Sequence, residues 1–240
     1  IATNGHGLIM FEYKTGTFKF FNELKNNIVN NYVLSLCEAD DGRIWAGTYD
    51  GLYLIDPEKL SSVFFNYSEY SKSGLSNNWI YCIHRDHKNR MWFGTAFGLN
   101  QYDKKSNIFL KYYTSDGLPG NVIDGILEDE NSILWISTNY GISKFNPDLM
   151  PFNNYYLEDG LPGNEFIHGS FYKSKEGELF FGSNFGLVSF YPSRIRRDSV
   201  ISPVVIKDIQ VFFKSIINQG YCDTTFKQPA IQKIRLSYKQ

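Results

Sequence analysis

The stretch "KNRMWFGTAFGLNQYD" (Lys88–Asp103) decides the fold, because variants of it stand at three other places in the chain. Each copy has a large aromatic ring with a glycine six residues after it. The steps between the anchor rings are 47, 43 and 45 residues, and such a fixed period marks a repeat protein with one structural unit per copy. The four copies are Asp40–Pro57, Lys88–Asp103, Glu130–Pro147 and Lys175–Pro192, with anchor rings Trp45, Trp92, Trp135 and Phe180.

Each unit is predicted to contain four short antiparallel strands. Asp41-Gly42 and Glu176-Gly177 are hairpin signals, because glycine accepts the positive φ of a tight turn. Four strands in about 45 residues is the spacing of a β-propeller blade, and the anchor ring would fill the wedge between neighbouring blades. In the second unit the strands are predicted at Trp79–Asp86, Arg90–Thr95, Gly98–Asp103 and Asn107–Thr114.

Composition supports a folded β protein and excludes several partners. The 240 residues are 42% apolar and 17% aromatic, which is too apolar for a disordered chain. The net charge of -1 comes with no basic patch, so nucleic acid is not an expected partner of this segment. Cys37, Cys82 and Cys222 are too few and too scattered for a disulfide framework, and the first two are expected as buried thiols.

A second repeat, "DGLPGN", stands at Asp116–Asn121 and again at Asp159–Asn164. Its position between units predicts that it joins one blade to the next, with glycines turning the chain and proline stiffening it. The residues that follow the two copies differ, "VIDG" against "EFIHG". This difference is where we look for function.

The pattern "D-G-x-x-W-x-G-T-x-x-G-L", preceded by "G-L-P-x-N", resembles the two-component regulator propeller repeat over about residues 1–192. The last unit is similar to the atypical last blade of that family, with Phe180 for tryptophan and two extra residues after Asn164. The resemblance implies the periplasmic sensor region of a hybrid two-component histidine kinase. It also implies that residues 202–240 begin a truncated triple-tyrosine domain, an immunoglobulin-like sandwich.

We therefore expect an all-β fragment, with a partial β-propeller of about four and a half four-stranded blades followed by part of an immunoglobulin-like β-sandwich. The resemblance further implies upstream blades, a membrane helix and kinase downstream, and a homodimer; no cofactor is expected. The predicted boundaries are a partial blade at 1–25, blades at 26–73, 74–116, 117–159 and 160–192, a linker at 193–201, and the truncated domain at 202–240.

Strand alternation places the "DGLPGN" loops and the turns between second and third strands on one rim. Amides and aromatic rings gather there, and this combination suits a carbohydrate, since amides pair with hydroxyls and rings cover apolar sugar faces. Sensors of the family commonly respond to glycan fragments, so the resemblance implies an oligosaccharide ligand. The candidate ligand-binding residues are Asn78, Trp79, Phe97, Asn121, Asp124, Asn139, Tyr140, Asn164, Glu165, His168, Asn184 and Phe185.

Other interpretations of these residues stay open. Side chains that recur in every blade favour an architectural role over binding, so the blade-specific Trp79, Asp124, Glu165 and His168 are the better functional candidates. Glu165 and His168 could instead supply the acid and base of a polysaccharide lyase or hydrolase, and a protein-binding propeller is a third possibility. No metal site is expected, because strand alternation directs His84 and His87 to opposite faces.

Overall fold

The structure, a computed structural model, describes residues 1–21, 32–70 and 73–195, together with the backbone of two short strands, β18 (Gln210–Val211) and β19 (Lys214–Ser215). The chain divides into two units, Ile1–Ile195 and Arg196–Gln240. Apart from that strand pair, the predicted immunoglobulin-like region, most of the linker and Cys222 lie outside the described residues.

The first unit is a series of antiparallel sheets in sequence order, which confirms the predicted propeller arrangement. An N-terminal hairpin, β1 (Ile9–Glu12) and β2 (Thr17–Phe20), comes before the blades. Blade 1 contains β3 (Val33–Glu38), β4 (Ile44–Thr48), β5 (Leu52–Asp56) and β6 (Ser61–Phe65). Blade 2 contains β7 (Ile80–Arg85), β8 (Met91–Thr95), β9 (Gly98–Asp103) and β10 (Ile108–Tyr112).

Two further blades follow. Blade 3 contains β11 (Ile123–Glu128), β12 (Leu134–Thr138), β13 (Gly141–Phe145) and β14 (Phe152–Tyr155). Blade 4 contains β15 (Phe166–Lys173), β16 (Leu179–Ser183) and β17 (Gly186–Phe190). The four strands predicted for the second unit are confirmed as β7–β10, and β9 has the predicted bounds.

In blade 4 the described residues form three of the four predicted strands, and the position expected for the fourth lies outside the described residues. Its sheet has the order β15–β16–β17, and the described residues supply no fourth strand. After β17 the chain enters a 3-10 turn at Pro192–Arg194. Proline has no N–H to offer a sheet, so Pro192 favours this turn over continued strand pairing.

The first strand of each blade lies on the inner side of the arc. β3, β7, β11 and β15 contact one another in succession, whereas the later strands of each blade lie progressively further out. Each inner strand has a bulge near its start, where the pairing with the second strand shifts. A bulged residue leaves the ladder, so its side chain can be aimed away from the sheet.

The three tryptophans fill the wedges between blades, as the sequence predicts. Trp45, Trp92 and Trp135 are at most 2% exposed. Trp92 packs on Phe145 of the next blade at 5.6 Å between ring centroids, and Trp135 packs on Phe190 at 4.8 Å. Edge-on and tilted ring pairs of this kind add to the free energy gained from burying apolar area.

A buried aspartate fixes the orientation of two of these indoles. Trp92 Nε1 donates to Asp86 Oδ2 at 3.0 Å, and Trp135 Nε1 donates to Asp129 Oδ2 at 2.9 Å. The other oxygen of each carboxylate accepts backbone N–H groups from the following turn. One aspartate therefore holds both the wedge and the hairpin that leads to it.

Phe180 aligns with the tryptophans but does not fill a wedge, contrary to the role expected for all four anchor rings. It is only half-buried and lies tilted against Tyr172 at 6.3 Å. No blade follows blade 4 among the described residues, so the outward face of Phe180 has no partner ring there. The neighbouring Phe181 points inward and is fully buried.

These two phenylalanines give a matched test of the fold. We expect Phe181→Ala to lower the free energy of unfolding by about 3–5 kcal/mol, because it empties a packed core position. Phe180→Ala should cost roughly 1 kcal/mol, since much of that ring is already hydrated. Chemical denaturation of the two variants measures the difference, and equal losses would contradict the assignment of the two faces.

Candidate functional site

A hydroxyl shapes the turn between the second and third strands in every blade. In blade 2, Thr95 Oγ1 donates to the carbonyl of Gly98 at 2.8 Å and accepts the N–H of Phe97 at 3.1 Å. Gly98 has a φ of 110°, a conformation that favours glycine. The turn therefore presents the residue before the glycine at the rim in a fixed position. The same pattern involves Thr48, Thr138 and Ser183 in the other blades.

The repeated asparagines join the blades, and we call this arrangement the blade clasp. Asn121 Oδ1 accepts the N–H of Thr114 at 2.9 Å, and the Asn121 carbonyl accepts the N–H of Gly98 from the previous blade at 2.6 Å. Asn164 repeats both bonds, to Leu157 and to Gly141, each at 2.7 Å. These contacts place the "DGLPGN" loops and the Gly98-type turns on one rim, as predicted; we call it the loop rim.

The other residues of the "DGLPGN" sequence form the turn that precedes the clasp asparagine. Thr114–Asp116 forms a 3-10 turn, and Asp116 Oδ2 accepts the N–H of Tyr113 at 2.8 Å. Gly117 ends the turn with a φ of 114°, and Leu118 is buried in the core between blades 2 and 3. The second copy has the same 3-10 turn at Leu157–Asp159. The loop recurs because it joins two neighbouring blades in the same way at two places, between blades 2 and 3 and between blades 3 and 4.

The remaining repeated candidates on the loop rim also have protein partners. Asn78 Oδ1 accepts the N–H of Tyr67 at 2.6 Å, and Asn139 Oδ1 accepts that of Val122 at 3.3 Å. Phe97 packs against Tyr113, and Tyr140 against Tyr156, each at 5.7 Å between ring centroids. Phe185 lies over Gly163, where a Cβ atom would collide with its ring. These rings keep one face exposed, but their positions serve the architecture.

Two of the blade-specific candidates, Asp124 and His168, lie at the bulges of the inner strands. Tyr81 and Asp124 are the bulged residues of β7 and β11. In β15 the two extra residues widen the bulge to the segment between Phe166 and Phe171, where Gly169 adopts a φ of 76°. The wider bulge carries His168 to Tyr81, and their rings stack at 4.7 Å with an interplanar angle of 16°.

Asp124 is the unusual member of this group. It is 3% exposed, and no protein group donates a hydrogen bond to its Oδ2 atom. Burial raises the pKa of the Asp124 carboxyl to about 7. A buried carboxylate without a partner is costly, so an arrangement of this kind is more typical of a binding or functional site than of a core.

The surroundings of Asp124 are aromatic. Burial, followed by the nearby Tyr49 hydroxyl and Asp124, raises the pKa of Tyr81. Tyr49 in turn lies edge-on to the exposed Trp79 at 5.6 Å. We call Tyr81, Asp124 and His168 the bulge site, with Tyr49 and Trp79 beside it. Glu165 lies one residue before β15, and its Oε2 accepts Asn184 Nδ2 at 2.9 Å.

Comparison with known proteins agrees with this architecture. The sequence profile of the family described as "two component regulator propeller" matches residues 27–50, 74–97 and 117–140. Each matched segment contains the first two strands of a blade, its tryptophan and the rim turn, and the third segment also contains the clasp residue Asn121. The chain contains two-component regulator propeller repeats.

Solved structures with similar propeller repeats include extracellular domains of hybrid two component systems of B. thetaiotaomicron. The chain is 31% identical to that of BT3049, with a TM-score of 0.70, covering 79% of this chain and 26% of that one. For BT4673 the identity is 21% and the TM-score 0.63, covering 78% and 24%. The chain thus spans about a quarter of the length of these relatives.

The same fold occurs in an enzyme. Virginiamycin B lyase from Staphylococcus aureus is 14% identical to the chain, with a TM-score of 0.56, covering 80% of this chain and 64% of that one. At this identity the likeness concerns the fold alone. The curated proteins contain no match to the chain, and no helix of the described residues is long and apolar enough to cross a membrane.

The prediction that His84 and His87 point to opposite faces was wrong. Both lie on the rim opposite the loop rim. His84 and His87 both face Glu128 of blade 3, with His87 Nδ1 at 2.7 Å and His84 Nε2 at 3.6 Å from the carboxylate. His87 lies in the turn after β7, where strand alternation no longer applies. Burial would raise the pKa of Glu128, but the two histidines outweigh it and lower that pKa. No group of three His, Cys, Asp or Glu side chains in the described ranges is arranged to hold a metal ion.

Both cysteines within the described residues are free thiols. Cys82 is buried as expected, and burial followed by the charge of Asp124 raises the pKa of its thiol well above the usual range. Cys37 is only half-buried. Neither thiol is therefore poised as a nucleophile at neutral pH.

Tyr81 is the functional candidate that sequence reasoning missed. The residue stands three positions after Asn78, as Asp124 stands three after Asn121. This shared offset was available in the sequence. However, it indicates a common position only once the bulge is known to turn that residue out of the ladder.

The clasp can be tested by comparing two substitutions at one position. We expect Asn121→Ala to lower the free energy of unfolding by about 1 kcal/mol, because the N–H of Thr114 loses its acceptor. Asn121→Asp should restore most of that stability, since a carboxylate oxygen can accept the same bond. Thermal unfolding measures both variants, and an alanine variant as stable as the wild type would contradict the clasp.

The protonation of Asp124 predicts a pH dependence of stability. The pKa of this carboxyl is higher in the folded chain, at about 7, than in the unfolded chain, at about 4. Its contribution to folding stability is therefore fully present below pH 4 and is lost as the pH rises to about 7. Asp124→Asn carries no charge, so its advantage over the wild type should grow across this range and reach on the order of 4 kcal/mol.

Denaturation at acidic and alkaline pH measures this difference, with Asp129→Asn as the matched control. Asp129 is also buried in blade 3, but it accepts hydrogen bonds from Asn131, Ile133 and Trp135. Its asparagine variant should be less stable than the wild type at alkaline pH, whereas Asp124→Asn should be more stable. An Asp124→Asn variant that is destabilised at alkaline pH would show that the carboxylate has a partner.

Proposed function

We propose that this chain is the ligand-sensing part of the extracytoplasmic region of a hybrid two-component histidine kinase, and that it binds a glycan fragment at the bulge site. The single observation that carries the proposal is the stacking of Tyr81 of blade 2 on His168 of blade 4, with the buried and unpartnered carboxylate of Asp124 near Tyr81. The 31% identity to the extracellular domain of BT3049 supports the sensor role.

The chemistry of the site favours an oligosaccharide over a purely apolar ligand. The rings of Tyr49, Trp79 and Tyr81 offer faces for the apolar side of a sugar ring. Glu165 and Asn184 offer an acceptor and a donor for sugar hydroxyls at the loop rim. A few placed polar groups among aromatic walls are typical of small-molecule sites.

The blade joints offer a route for the signal. A ligand that contacts Tyr81 and His168 touches blades 2 and 4 at once, so it favours one relative arrangement of these blades. A ligand shifts a conformational equilibrium only by its difference in affinity for the two states. In this proposal the shift passes to a membrane helix and a kinase elsewhere in the same protein. The protein lies in the inner membrane with its sensor region in the periplasm. It acts as a homodimer and regulates transcription.

We propose no catalytic role for this segment. The lyase or hydrolase interpretation needs Glu165 and His168 to act together on a substrate. Each has a different partner, since Glu165 accepts from Asn184 and His168 stacks on Tyr81. A sensor needs these two residues only to contact the ligand, which does not require them to act together.

Calorimetric titration of the chain against a panel of neutral, amino and acidic oligosaccharides tests the proposal. We expect at least one member to bind, and His168→Ala to weaken that binding by about tenfold through loss of the stacked ring. His6→Ala is the matched control, since His6 is an exposed residue near the N-terminal hairpin. A panel without any binder would contradict the glycan class, and a His168→Ala variant with unchanged affinity would contradict the site.

A further inference from the structure

A cavity of about 260 Å³ lies between the N-terminal hairpin and blade 1. The hairpin side of its wall includes Leu8 and Phe21, and the blade side includes Leu36, Ile44 and Ile55. We call it the N-terminal cavity. Because its wall is mostly apolar, an apolar group that enters it gains free energy by leaving water.

The wall of the N-terminal cavity matches the wall that surrounds a tryptophan elsewhere in the repeat. The five residues can be numbered from Gly7 in the hairpin and from Trp45 in blade 1, and compared with the same positions around Gly98 and Trp135. Their equivalents in blades 2 and 3 are Leu99, Tyr112, Ile126, Leu134 and Phe145. All five equivalents belong to the core cluster that contains Trp92. The cavity therefore has, in the first joint, the position that the Trp92 indole fills between blades 2 and 3.

The turn before the hairpin is a rim turn of the kind found in every blade. Thr3 Oγ1 donates to the carbonyl of Gly7 at 2.6 Å and accepts the N–H of His6 at 3.2 Å. In the blades, this hydroxyl ends the second strand and the glycine begins the third. The residues before Thr3 thus correspond to a second strand, and β1 and β2 to a third and a fourth.

Strand pairing locates the position of the missing ring. Ala2 pairs with Leu8, and Ile1 exchanges two backbone hydrogen bonds with Ile9, at 2.7 and 3.0 Å. In blades 1 to 3, the tryptophan lies two pairs beyond the pair equivalent to Ala2 and Leu8. The same count here reaches Met10, which lines the cavity, and on the other strand the position directly before Ile1.

We propose that the N-terminal cavity receives a large aromatic ring on an extended strand that pairs with β1, supplied by the segment directly before Ile1 in the full-length protein. The strand contributes backbone hydrogen bonds, and the ring packs on Ile55 as Trp92 packs on Phe145. The relatives from B. thetaiotaomicron, of which the chain spans about a quarter, are long enough to supply such a segment. The wedge that joins blades 2 and 3 thus also joins blade 1 to what precedes it.

Two extensions of the chain test the proposal without altering any of its residues. The first places "KNRMW", the sequence of residues 88–92 from blade 2, directly before Ile1, and the control places "KNRMA" there. We expect the tryptophan extension to raise the midpoint of thermal unfolding by about 6 °C or more over the alanine extension, because its ring fills the cavity.

Amide exchange measures the strand pairing separately. The N–H of Ile9 points to Ile1, so the N–H of Phe11, two residues further along β1, points to the added strand. We expect the exchange of the Phe11 amide to slow by at least about tenfold in the chain with the tryptophan extension. Exchange at the rate found in the unextended chain would overturn the pairing with β1.

A variant of the cavity wall tests where the ring lies. On an Ile55→Ala background, the difference in midpoint between the two extensions should fall by about half or more, because the ring loses its main contact. Val63→Ala, at an exposed position of the same blade, is the matched control and should leave the difference unchanged. Equal midpoints for the two extensions, or a difference that is unchanged in Ile55→Ala, would overturn the cavity as the site of the ring.

Discussion

The blade clasp is the interaction on which the rest of the structure depends. An asparagine such as Asn121 uses its side chain to hold the loop that enters its blade and its carbonyl to hold the rim turn of the previous blade. Both bonds need backbone geometry that glycine allows at Gly98 and Gly117. Since such joints position blades 3 and 4, the wedges filled by Trp92 and Trp135 and the course of the inner strands β11 and β15 follow from them.

Outside the clasp and the wedge, one position in each blade can hold different types of residue. The bulge near the start of each inner strand takes its residue out of the ladder, so neither the clasp nor the wedge restricts its identity. Blades 2 and 3 have Tyr81 and Asp124 there, and blade 4 has a widened bulge that carries His168. The repeat thus separates two tasks, because identical residues build the frame and differing residues meet on its inner side.

The repeat made most of the fold predictable from sequence. Period, turn glycines and anchor rings gave the strands of blade 2 and the shared rim of loops and turns, because these depend on local backbone rules. The half-buried position of Phe180 could not be predicted, since it depends on what packs against the outer face of blade 4. The partners of His84 and His87, and the contact of Tyr81 with His168, depend on neighbouring blades, which strand periodicity within one unit does not describe.

The repeat architecture holds the Asp124 carboxylate buried, with no protein partner for its Oδ2 atom. A titration of the chain followed by carboxyl-carbon NMR, with the Asp124 signal assigned by its absence in Asp124→Asn, measures this directly. The account predicts that the pKa of Asp124 lies at about 7. A value in the ordinary range of an aspartate, about 4, would mean that the carboxylate is hydrated or paired, and would contradict the account.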